Sequence, residues 1–370
     1  MLYRGTYSEI DLDVFKENLN QIKLHTNKAV FCVCKANAYS HADYYIAKTA
    51  FENGCPYICV SSFDEAYSLR NQNFEGDILI MGYVDPESLE EIIRLQITIS
   101  VFSYEWLSSI DPSKINMKAL KVHLKIDTGM NRIGFKHLDE IQKAVALLKQ
   151  MDVEMEGIYT HYHSADNKDK SSCVKQSNWF YRILDSIDHS FKWVHTSNSD
   201  ATLSYQDERS NAVRVGLALY GIKSVESNVK LQPVLSLYST ITHMKKVMKG
   251  ETIGYGATYT CPTDCFIATL PIGYGDGFLR KNQGRFVCVD THPYEIVGRI
   301  CMDQTMIRLD KSYPVGTPVE IIGEHISLIK MANELEMIPY EVLCLLSDRI
   351  TKVIKQQGNV VAVVNKRIAT

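Results

Sequence analysis

Basic and other polar side chains recur in the first 220 residues of the 370-residue chain, at or beyond the ends of short apolar runs. They are Lys35, Lys125, Arg132, His161, His195, Asn198, Ser199 and Arg214, followed by the pair Gly216 and Leu217. Lysine and arginine are positively charged near neutral pH, so a cluster of them would favour an anionic ligand. Whether they form a cluster depends on the elements that carry them.

The apolar runs are interpreted as strands because they are short and rich in β-branched residues. They are Ala29–Lys35, Tyr57–Ser61, Asp77–Met81, Ile97–Val101, Leu120–Ile126, Glu156–Thr160, Lys192–His195 and Ala212–Val215. Helical patterns follow most of them, at Tyr44–Asn53, Asp64–Asn71, Pro86–Leu95, Asp139–Leu148 and Ser172–Ile187. Such alternation predicts parallel pairing, and eight units match a closed (β/α)8 barrel. An open doubly wound sheet is the alternative, but no GxGxxG motif follows the first strand.

The functional groups of such barrels lie at the C-terminal ends of the strands, where these polar residues fall. Ser199 and the backbone amides of Gly216 and Leu217 would suit a phosphate group held between the last two loops. Lys35 follows the apolar residues 30–34, so we expect it to point into the barrel mouth. A lysine facing phosphate donors suggests a Schiff base to pyridoxal 5'-phosphate, with a plain surface lysine as the alternative.

After Gly221 the helical periodicity nearly vanishes until Ser327–Glu336. Strand-like runs lie at Val234–Val247, Phe266–Pro271, Arg285–Val289, Tyr294–Ile300, Thr305–Leu309, Val319–Ile322, Ile350–Ile354 and Val360–Asn365. We therefore predict an α/β plus all-β protein. An N-terminal (β/α)8 TIM-like barrel would occupy residues 1–230, and a mostly β C-terminal domain would occupy residues 231–370. The boundary falls in Lys223–Pro233, and the first strand is allowed to pack on the C-terminal domain.

Composition excludes several classes of protein. The net charge of −3 lacks the basic excess that binding to nucleic-acid backbone requires. No signal peptide and no apolar run of about 18 residues is found, so no membrane segment is expected in this chain. Ten cysteines without a CxxC motif indicate reduced thiols in a cytoplasmic protein and no metal site. A membrane-anchored parent, of which this chain is the soluble part, stays an open alternative.

Ordered blocks along nearly the whole chain resemble the alanine racemase family. They are residues 33–39, 125–130 with Arg132 and Gly134, 160–161, 165–166, 195, 198–199, 214–216, 219–221, 255–259, 273–277 and 298–304. The family fold is a pyridoxal-phosphate barrel followed by a β domain, in agreement with the prediction from the strand pattern. The resemblance implies a racemase that interconverts L- and D-alanine and supplies D-amino acid for peptidoglycan.

By this resemblance Lys35 and Tyr255 are the two catalytic bases, which act on opposite faces of the substrate Cα. Tyr255 would come from the partner subunit, so the site would be complete only in a homodimer. The implied cofactor-binding residues are Lys35, Tyr39, His161, Asn198, Ser199, Arg214, Gly216 and Leu217. The implied substrate-binding residues are Arg132, Met302, Tyr274 and Asp303. Asp348 and Ser164 are added to this set because they would make the pocket more polar than the family pattern.

Two basic residues carry further implications from the family. Arg214 would donate a hydrogen bond to the cofactor's ring nitrogen and keep it unprotonated, because a guanidinium does not release its own proton. The ring is then a weaker electron sink, which favours racemisation over transamination. Lys125 is often carbamylated in the family, which would let it pair with Arg132. An unmodified interior lysine is the alternative.

The chain departs from the family pattern at several positions. Ser40 and Ala42 stand where the family has glycine, and His163 and Asp200 stand where it has small residues. Asp348 stands where the family has a tyrosine that lines the pocket. A more polar pocket would discriminate in favour of a substrate hydroxyl, so serine is an alternative substrate to alanine.

Two other pyridoxal-phosphate functions are alternatives for this chain. A pyridoxal-phosphate decarboxylase of similar architecture would place an acidic residue at the ring nitrogen and use a Gly-rich phosphate loop. A non-catalytic pyridoxal-phosphate carrier would be a single barrel. Arg214 argues against the first alternative, and the predicted β domain argues against the second.

Overall fold

The computed structural model describes residues 4–368 and divides them into two compact units. One unit consists of Phe15–Ala38 and Asp43–Gln232. The other consists of residues 4–14, 39–42 and 233–368. We call them the barrel unit and the β-rich unit.

The described strands alternate with helices in the first half and follow one another in the second half. The strands are β1 Tyr7–Asp11, β2 Ala29–Val33, β3 Ile58–Val60, β4 Ile78–Ile80, β5 Ile97–Val101, β6 Lys121–Lys125, β7 Glu154–Tyr159, β8 Trp193–His195, β9 Ala212–Val215, β10 Leu235–Thr240, β11 His243–Val247, β12 Thr252–Ile253, β13 Tyr259–Thr260, β14 Cys265–Leu270, β15 Phe286–Val289, β16 His292–Glu295, β17 Thr305–Leu309, β18 Pro318–Ile322, β19 Thr351–Gln356 and β20 Asn359–Val364. The helices are α1 Leu12–Thr26, α2 Lys35–Ser40, α3 Asp43–Glu52, α4 Phe63–Asn71, α5 Leu89–Arg94, α6 Tyr104–Ser108, α7 Leu138–Gln150, α8 Ser171–Ser186, α9 Ser199–Ser204, α10 Leu328–Glu334 and α11 Pro339–Leu345.

Strands β2 to β9 form a closed parallel barrel, and β9 pairs with β2 to complete it. β3, β4 and β5 are buried along their whole length, as expected for strands covered by helices on one face and by the barrel core on the other. All eight predicted strands are present, so the barrel prediction is confirmed. Parallel closure brings every strand's carboxyl end to one rim.

The β-rich unit is built around a sheet of order β16-β15-β18-β10-β1-β19-β20. β1 lies inside this sheet, antiparallel to β10 and parallel to β19. The barrel unit therefore begins at Phe15 rather than at residue 1, because β1 forms its backbone hydrogen bonds with the second half of the chain. The mostly β character predicted for the second half is confirmed.

Two features of the β-rich unit differ from the predicted elements. The run Val234–Val247 is two strands, because β10 joins the large sheet while β11 pairs with β14 in a separate sheet. The helix α11 was not predicted; it begins with Pro339 at its first position, where the missing N–H is no loss. No helix in the described part of the chain is long and apolar enough to cross a membrane.

Candidate active site

Lys35 begins a backbone turn of unusual hand. Residues Ala36 to Ser40 have φ angles between 52° and 65°, so α2 is a left-handed turn made without glycine. This conformation is unfavourable for residues with a Cβ, and specific hydrogen bonds must hold it. The amide of Ala36 donates to a carboxylate oxygen of Glu65 at 2.7 Å, and the amide of Ala38 donates to the carbonyl of Cys34. The turn leaves the Lys35 side chain exposed at the end of β2.

Arg214 is the most heavily bonded polar residue of the barrel rim. Its Nη1 donates to Nδ1 of His195 at 2.9 Å and to the His195 carbonyl at 3.0 Å. Its Nη2 donates to the carbonyls of Thr160 and Thr196 at 2.7 and 3.1 Å, and to Nδ1 of His161 at 3.2 Å. The side chain is therefore held in one orientation although it is almost fully buried.

Within the guanidinium of Arg214, the Nε–H is the N–H group that has no acceptor among the described residues. A group bound in the barrel mouth that offers an unprotonated nitrogen would satisfy it. The pyridine ring of pyridoxal phosphate has such a nitrogen, so this donor fits the implied cofactor.

The pKa of His161 shows that the predicted cations lie close to one another. Burial lowers the pKa of its imidazole, and the charges of Arg214, Lys125, Arg132 and Lys35 lower it further. The imidazole is thus neutral at physiological pH, with Nδ1 accepting from Arg214. The structure brings together the cationic residues that the sequence placed on separate strands.

Lys125 is buried beneath this rim with little compensation for its charge. Its Nζ lies 5.0 Å from the ring centre of Tyr159, and the guanidinium of Arg214 lies 4.9 Å from the same ring. Burial lowers the pKa of Lys125 to about 7, aided by Arg214 and Arg132 and opposed by Asp127. A substantial share of Lys125 is therefore an uncharged amine at neutral pH, able to act as a nucleophile.

The end of β9 and the start of α9 form a small cradle of hydrogen-bond donors. Ser199 Oγ accepts from the amide of Gly216 at 3.1 Å, and Asn198 caps α9 by accepting from the amide of Ala201. The amide of Leu217 has no acceptor among the described residues. A hydroxyl and a free amide beside a helix start are typical of phosphate sites. The Asn198 side chain itself is used in the cap rather than directed at a ligand.

The remaining predicted residues of the barrel unit are less constrained. Arg132 is exposed and makes no ion pair within the described chain. Ser164 is half-buried, and its Oγ lies 2.6 Å from Nδ1 of His163. Their assignment as substrate-binding residues stays a prediction.

In the β-rich unit, Tyr255 stands out because its side chain is 71% exposed. It lines a cavity of about 370 Å³ together with Gly254, Cys301 and Met306, among others. In this position the phenol can reach a molecule bound in the cavity or at the surface beside it.

The loops that carry Tyr274 and Met302 are joined to each other by backbone hydrogen bonds. The amide of Tyr274 donates to the carbonyl of Cys301 at 3.1 Å, and the amide of Gly275 donates to the carbonyl of Met302 at 2.9 Å. The amide of Met302 has no acceptor among the described residues and remains available to a carboxylate. Asp303 pairs with Arg349 at 2.6 Å, which occupies its carboxylate.

Two more predicted residues belong to the β-rich unit. Tyr39 is buried, and the neighbouring Ser40 Oγ donates to the carbonyl of Leu346 at 3.2 Å. Asp348 is exposed and pairs with Lys366 at 3.5 Å. A solvated ion pair of this kind favours the view that Asp348 is a surface carboxylate over direct contact with a substrate.

Comparison with known proteins identifies the family. Residues 10–224 match the alanine racemase N-terminal domain, and residues 234–354 match the alanine racemase C-terminal domain. The chain belongs to the alanine racemase family. Alanine racemase of Streptococcus pyogenes is 40% identical over 95% of this chain and 98% of its own length. Alanine racemase 1 of Bacillus subtilis is 39% identical over 98% and 96%.

Solved structures of the alanine racemase family share the fold of the whole chain. The Bacillus anthracis alanine racemase with bound L-Ala-P is 37% identical with a TM-score of 0.91, covering 98% of both chains. A histidine racemase from Leuconostoc mesenteroides also has a TM-score of 0.91, at 27% identity over 96% of this chain and 99% of its own. The family resemblance inferred from the ordered blocks is confirmed, and the serine branch gains no support.

Family membership gives the departures Ser40 and Ala42 a structural meaning. Their φ angles of 65° and 64° lie in the region that glycine adopts without strain, so a glycine would fit either position at lower cost. The chain keeps the left-handed turn after Lys35 without the residue type that favours it.

Sequence reasoning overlooked two members of the barrel core, His123 on β6 and Glu156 on β7. Both are buried, and both join the hydrogen-bond chain that starts at Arg214. The only signal was their type, because a histidine and a glutamate inside predicted barrel strands are unusual among apolar neighbours.

The depressed pKa of Lys125 predicts how stability depends on pH. The ordinary lysine value is 10.5 and the folded-state value is about 7. As pH falls from 10 to 7, the unfolded chain gains a proton that the folded protein does not, so the folded state loses stability. Lys125→Met removes this penalty, on the order of a few kcal/mol, at pH 7 but little of it at pH 10.

Thermal unfolding in CO₂-free buffer at both pH values measures the effect. The gain in Tm of Lys125→Met over wild type should be several degrees larger at pH 7 than at pH 10. Lys121→Met on the same strand, where the lysine is only half-buried, is the matched control. Equal differences at both pH values would show that Lys125 keeps its proton in the folded state.

Proposed function

We propose that the chain is a pyridoxal-phosphate-dependent racemase that interconverts L- and D-alanine. The observation that carries this proposal is Arg214, a rigidly held donor with a free Nε–H and no carboxylate beside it. A decarboxylase of similar architecture would need an acidic residue at that place. Membership in the alanine racemase family supports alanine as the substrate.

The barrel mouth offers the groups that would hold the cofactor. Lys35 would bind it covalently through Nζ, Arg214 would face its ring nitrogen, and His161 would contact its ring. Ser199 and the amide of Leu217 would supply phosphate donors, and the amide of Gly216 would orient Ser199 Oγ toward the same group. Tyr39 adds a phenol within the turn that begins at Lys35. Asn198 contributes indirectly, by capping the helix that presents Ser199.

Pyridoxal phosphate, when bound, withdraws electrons from the substrate Cα and so makes its proton easier to remove. Lys35, released from the cofactor, would take or return that proton on one face. Tyr255 of the partner subunit would do the same on the opposite face, which inverts the centre. A tyrosine must lose its proton to act as a base, and a cation such as Arg132 would favour that.

The substrate carboxylate requires donors that are not already used. Arg132 has no ion-pair partner in the described chain, and the amide of Met302 has no acceptor. Tyr274 lies in the loop that bonds through its backbone to Cys301 and Met302. We therefore propose Arg132 and Met302 as carboxylate donors, and give Asp303 a supporting role through its pair with Arg349.

Lys125 is proposed to carry a carbamate formed with CO₂. A pKa of about 7 leaves the amine free to react at neutral pH. Carbamylation would turn a buried cation into an anion, which would relieve its repulsion with Arg214 and Arg132 and allow it to pair with Arg132.

We further propose that the enzyme is a homodimer whose sites are shared between subunits. Tyr255 is exposed to solvent in the single chain and lines an open cavity, as expected for a residue that completes a partner's site. Closed two-fold dimers give two such equivalent sites.

Two inactive variants test the function and the shared site together. The wild-type holoenzyme should abolish the optical rotation of L-alanine and of D-alanine. Lys35→Ala and Tyr255→Phe should each lower the rate of this loss at least a hundredfold. Co-expression of the two variants with different affinity tags yields heterodimers, in which one site carries both changes and the other carries neither. These heterodimers should recover about half the wild-type activity per dimer.

The outcomes separate the claims. Wild type that releases CO₂ without racemising alanine would be a decarboxylase, and wild type that binds cofactor without turnover would be a carrier. Racemisation by wild type with no recovery in heterodimers would place Lys35 and Tyr255 of one chain in the same site. A Lys35→Ala protein with an unchanged visible absorbance band would show that another residue binds the cofactor.

Substrate preference is tested at Asp348. Wild type should favour alanine, and Asp348→Tyr should leave the ratio of kcat/KM for L-serine to L-alanine within about threefold, because the carboxylate is paired with Lys366 at the surface. Lys366→Met, which removes only the partner, is the matched control. A tenfold or larger loss of serine turnover relative to alanine in Asp348→Tyr would mean that Asp348 contacts the substrate hydroxyl.

A further inference from the structure

Arg214 is a buried cation with no anion beside it. Its side chain is 3% exposed, and its acceptors are carbonyl oxygens and imidazole nitrogens. No carboxylate of the described residues lies in ion-pair range of the guanidinium. Burying an uncompensated charge is strongly unfavourable, so the fold should supply the counter-charge by another route.

A continuous hydrogen-bond chain leads from Arg214 through the barrel core to a carboxylate. Arg214 Nη1 is 2.9 Å from Nδ1 of His195, and Nε2 of His195 is 2.8 Å from Nδ1 of His123. Nε2 of His123 is then 3.5 Å from Oε2 of Glu156. Both imidazoles are fully buried and Glu156 is 5% exposed, so solvent does not interrupt the chain.

The two ends of the chain determine where each proton lies. A guanidinium only donates, so Nδ1 of His195 must be the acceptor and its Nε2 must carry the hydrogen. That hydrogen makes Nδ1 of His123 an acceptor and puts the His123 hydrogen on Nε2. An ionised carboxylate only accepts, and it meets that hydrogen at the far end. Each donor in the chain therefore faces an acceptor, and the two ends fix this direction of the hydrogen bonds.

Hydrogen-bond donors keep Glu156 ionised at the end of this hydrogen-bond chain. Its Oε1 accepts from Lys192 Nζ at 2.7 Å, and its Oε2 also accepts from the hydroxyl of Tyr57. Burial alone would raise the pKa of Glu156, but the donors His123, Lys192 and Tyr57 lower it to about 2. Burial lowers the pKa of His123, and burial together with Arg214 lowers that of His195, so both imidazoles are neutral.

We propose that Glu156 is the counter-ion of Arg214 and acts on it through His123 and His195. In this arrangement Glu156 and His123 are positioning residues, since neither lies at the rim where a ligand would bind. A carboxylate in direct contact with Arg214 would use the donors of the guanidinium. Glu156, which is separated from Arg214 by two imidazoles, compensates the charge and leaves the Nε–H available to a ligand. The role at the ring nitrogen rests on the proposed function, whereas the counter-ion relation can be tested without it.

The wild-type holoenzyme gives the first test. Ring ¹⁵N labelling of its 11 histidines and long-range ¹H–¹⁵N correlation report the protonation of each nitrogen. His195 and His123, assigned from single histidine-to-glutamine variants, should both be neutral with the hydrogen on Nε2 from about pH 6 to 9. A hydrogen on Nδ1 of either ring, or an imidazolium in this range, would overturn the proposed order.

Removing Arg214 should move its charge onto the histidine pair. The charged or titratable groups around the pair are Glu156, Lys192, Tyr57, Tyr159 and Lys125. With the guanidinium gone in Arg214→Met, Glu156 should draw one proton onto the pair, with a midpoint above about pH 7. In Arg214→Met/Glu156→Gln the pair should again stay neutral down to about pH 6.

The matched control is Glu154→Gln, an exposed carboxylate on the same strand β7. Added to Arg214→Met, it should leave the raised midpoint within about 0.3 pH units, because an exposed charge is screened by solvent. If Arg214→Met leaves the pair neutral at pH 6, or if Glu156→Gln changes the midpoint no more than Glu154→Gln does, Glu156 is not the counter-ion. These readings do not depend on catalysis, so they stand even if the racemase assay fails.

Discussion

A single buried guanidinium constrains most of the barrel mouth. Arg214 must keep its charge inside the protein without a carboxylate beside it, because such a partner would occupy the face that the proposed cofactor needs. Three backbone carbonyls and two imidazoles hold it from the other side. The closed barrel makes this possible, since residues of β7, β8 and β9 and of the segments that follow them meet around one side chain.

The same charge affects the other groups of the rim. It lowers the pKa of His161, and it adds to the burial that brings the pKa of Lys125 to about 7. A neutral imidazole and a reactive amine are thus consequences of Arg214 and of burial. In this account the chemistry of the site depends on how a buried cation is compensated, and Glu156 provides the compensation from the interior of the barrel.

Much of this could be predicted from the sequence, and the exceptions have physical reasons. Alternating strands and helices indicated the barrel, and strand ends indicated the rim residues, because both depend on local patterns. The place of β1 was left open because strand partners distant in the chain leave no local pattern. The run 234–247 lacks glycine and proline, so its division between two sheets was hidden.

The site itself was predicted less completely than the fold. The left-handed turn after Lys35 could not be foreseen, because residues 36–42 contain no glycine that would have marked it. His123 and Glu156 lie inside strands, where sequence alone does not say which side chains meet across the barrel. A role of Asp348 in substrate choice stays a prediction, and its pairing with the exposed Lys366, 18 positions away, had no signal in the sequence.

The most direct measurement of the central claim is the reaction specificity of Arg214→Glu. A carboxylic acid at this position can share a proton with the ring nitrogen, which would strengthen the ring as an electron sink and prolong the carbanion. The account predicts that alanine racemisation falls by about a hundredfold or more, while formation of pyruvate from alanine, whose amino group would pass to the cofactor, rises above the wild-type level. Racemisation near the wild-type rate, with no pyruvate formed, would contradict the assignment of Arg214 as the group that faces the ring nitrogen.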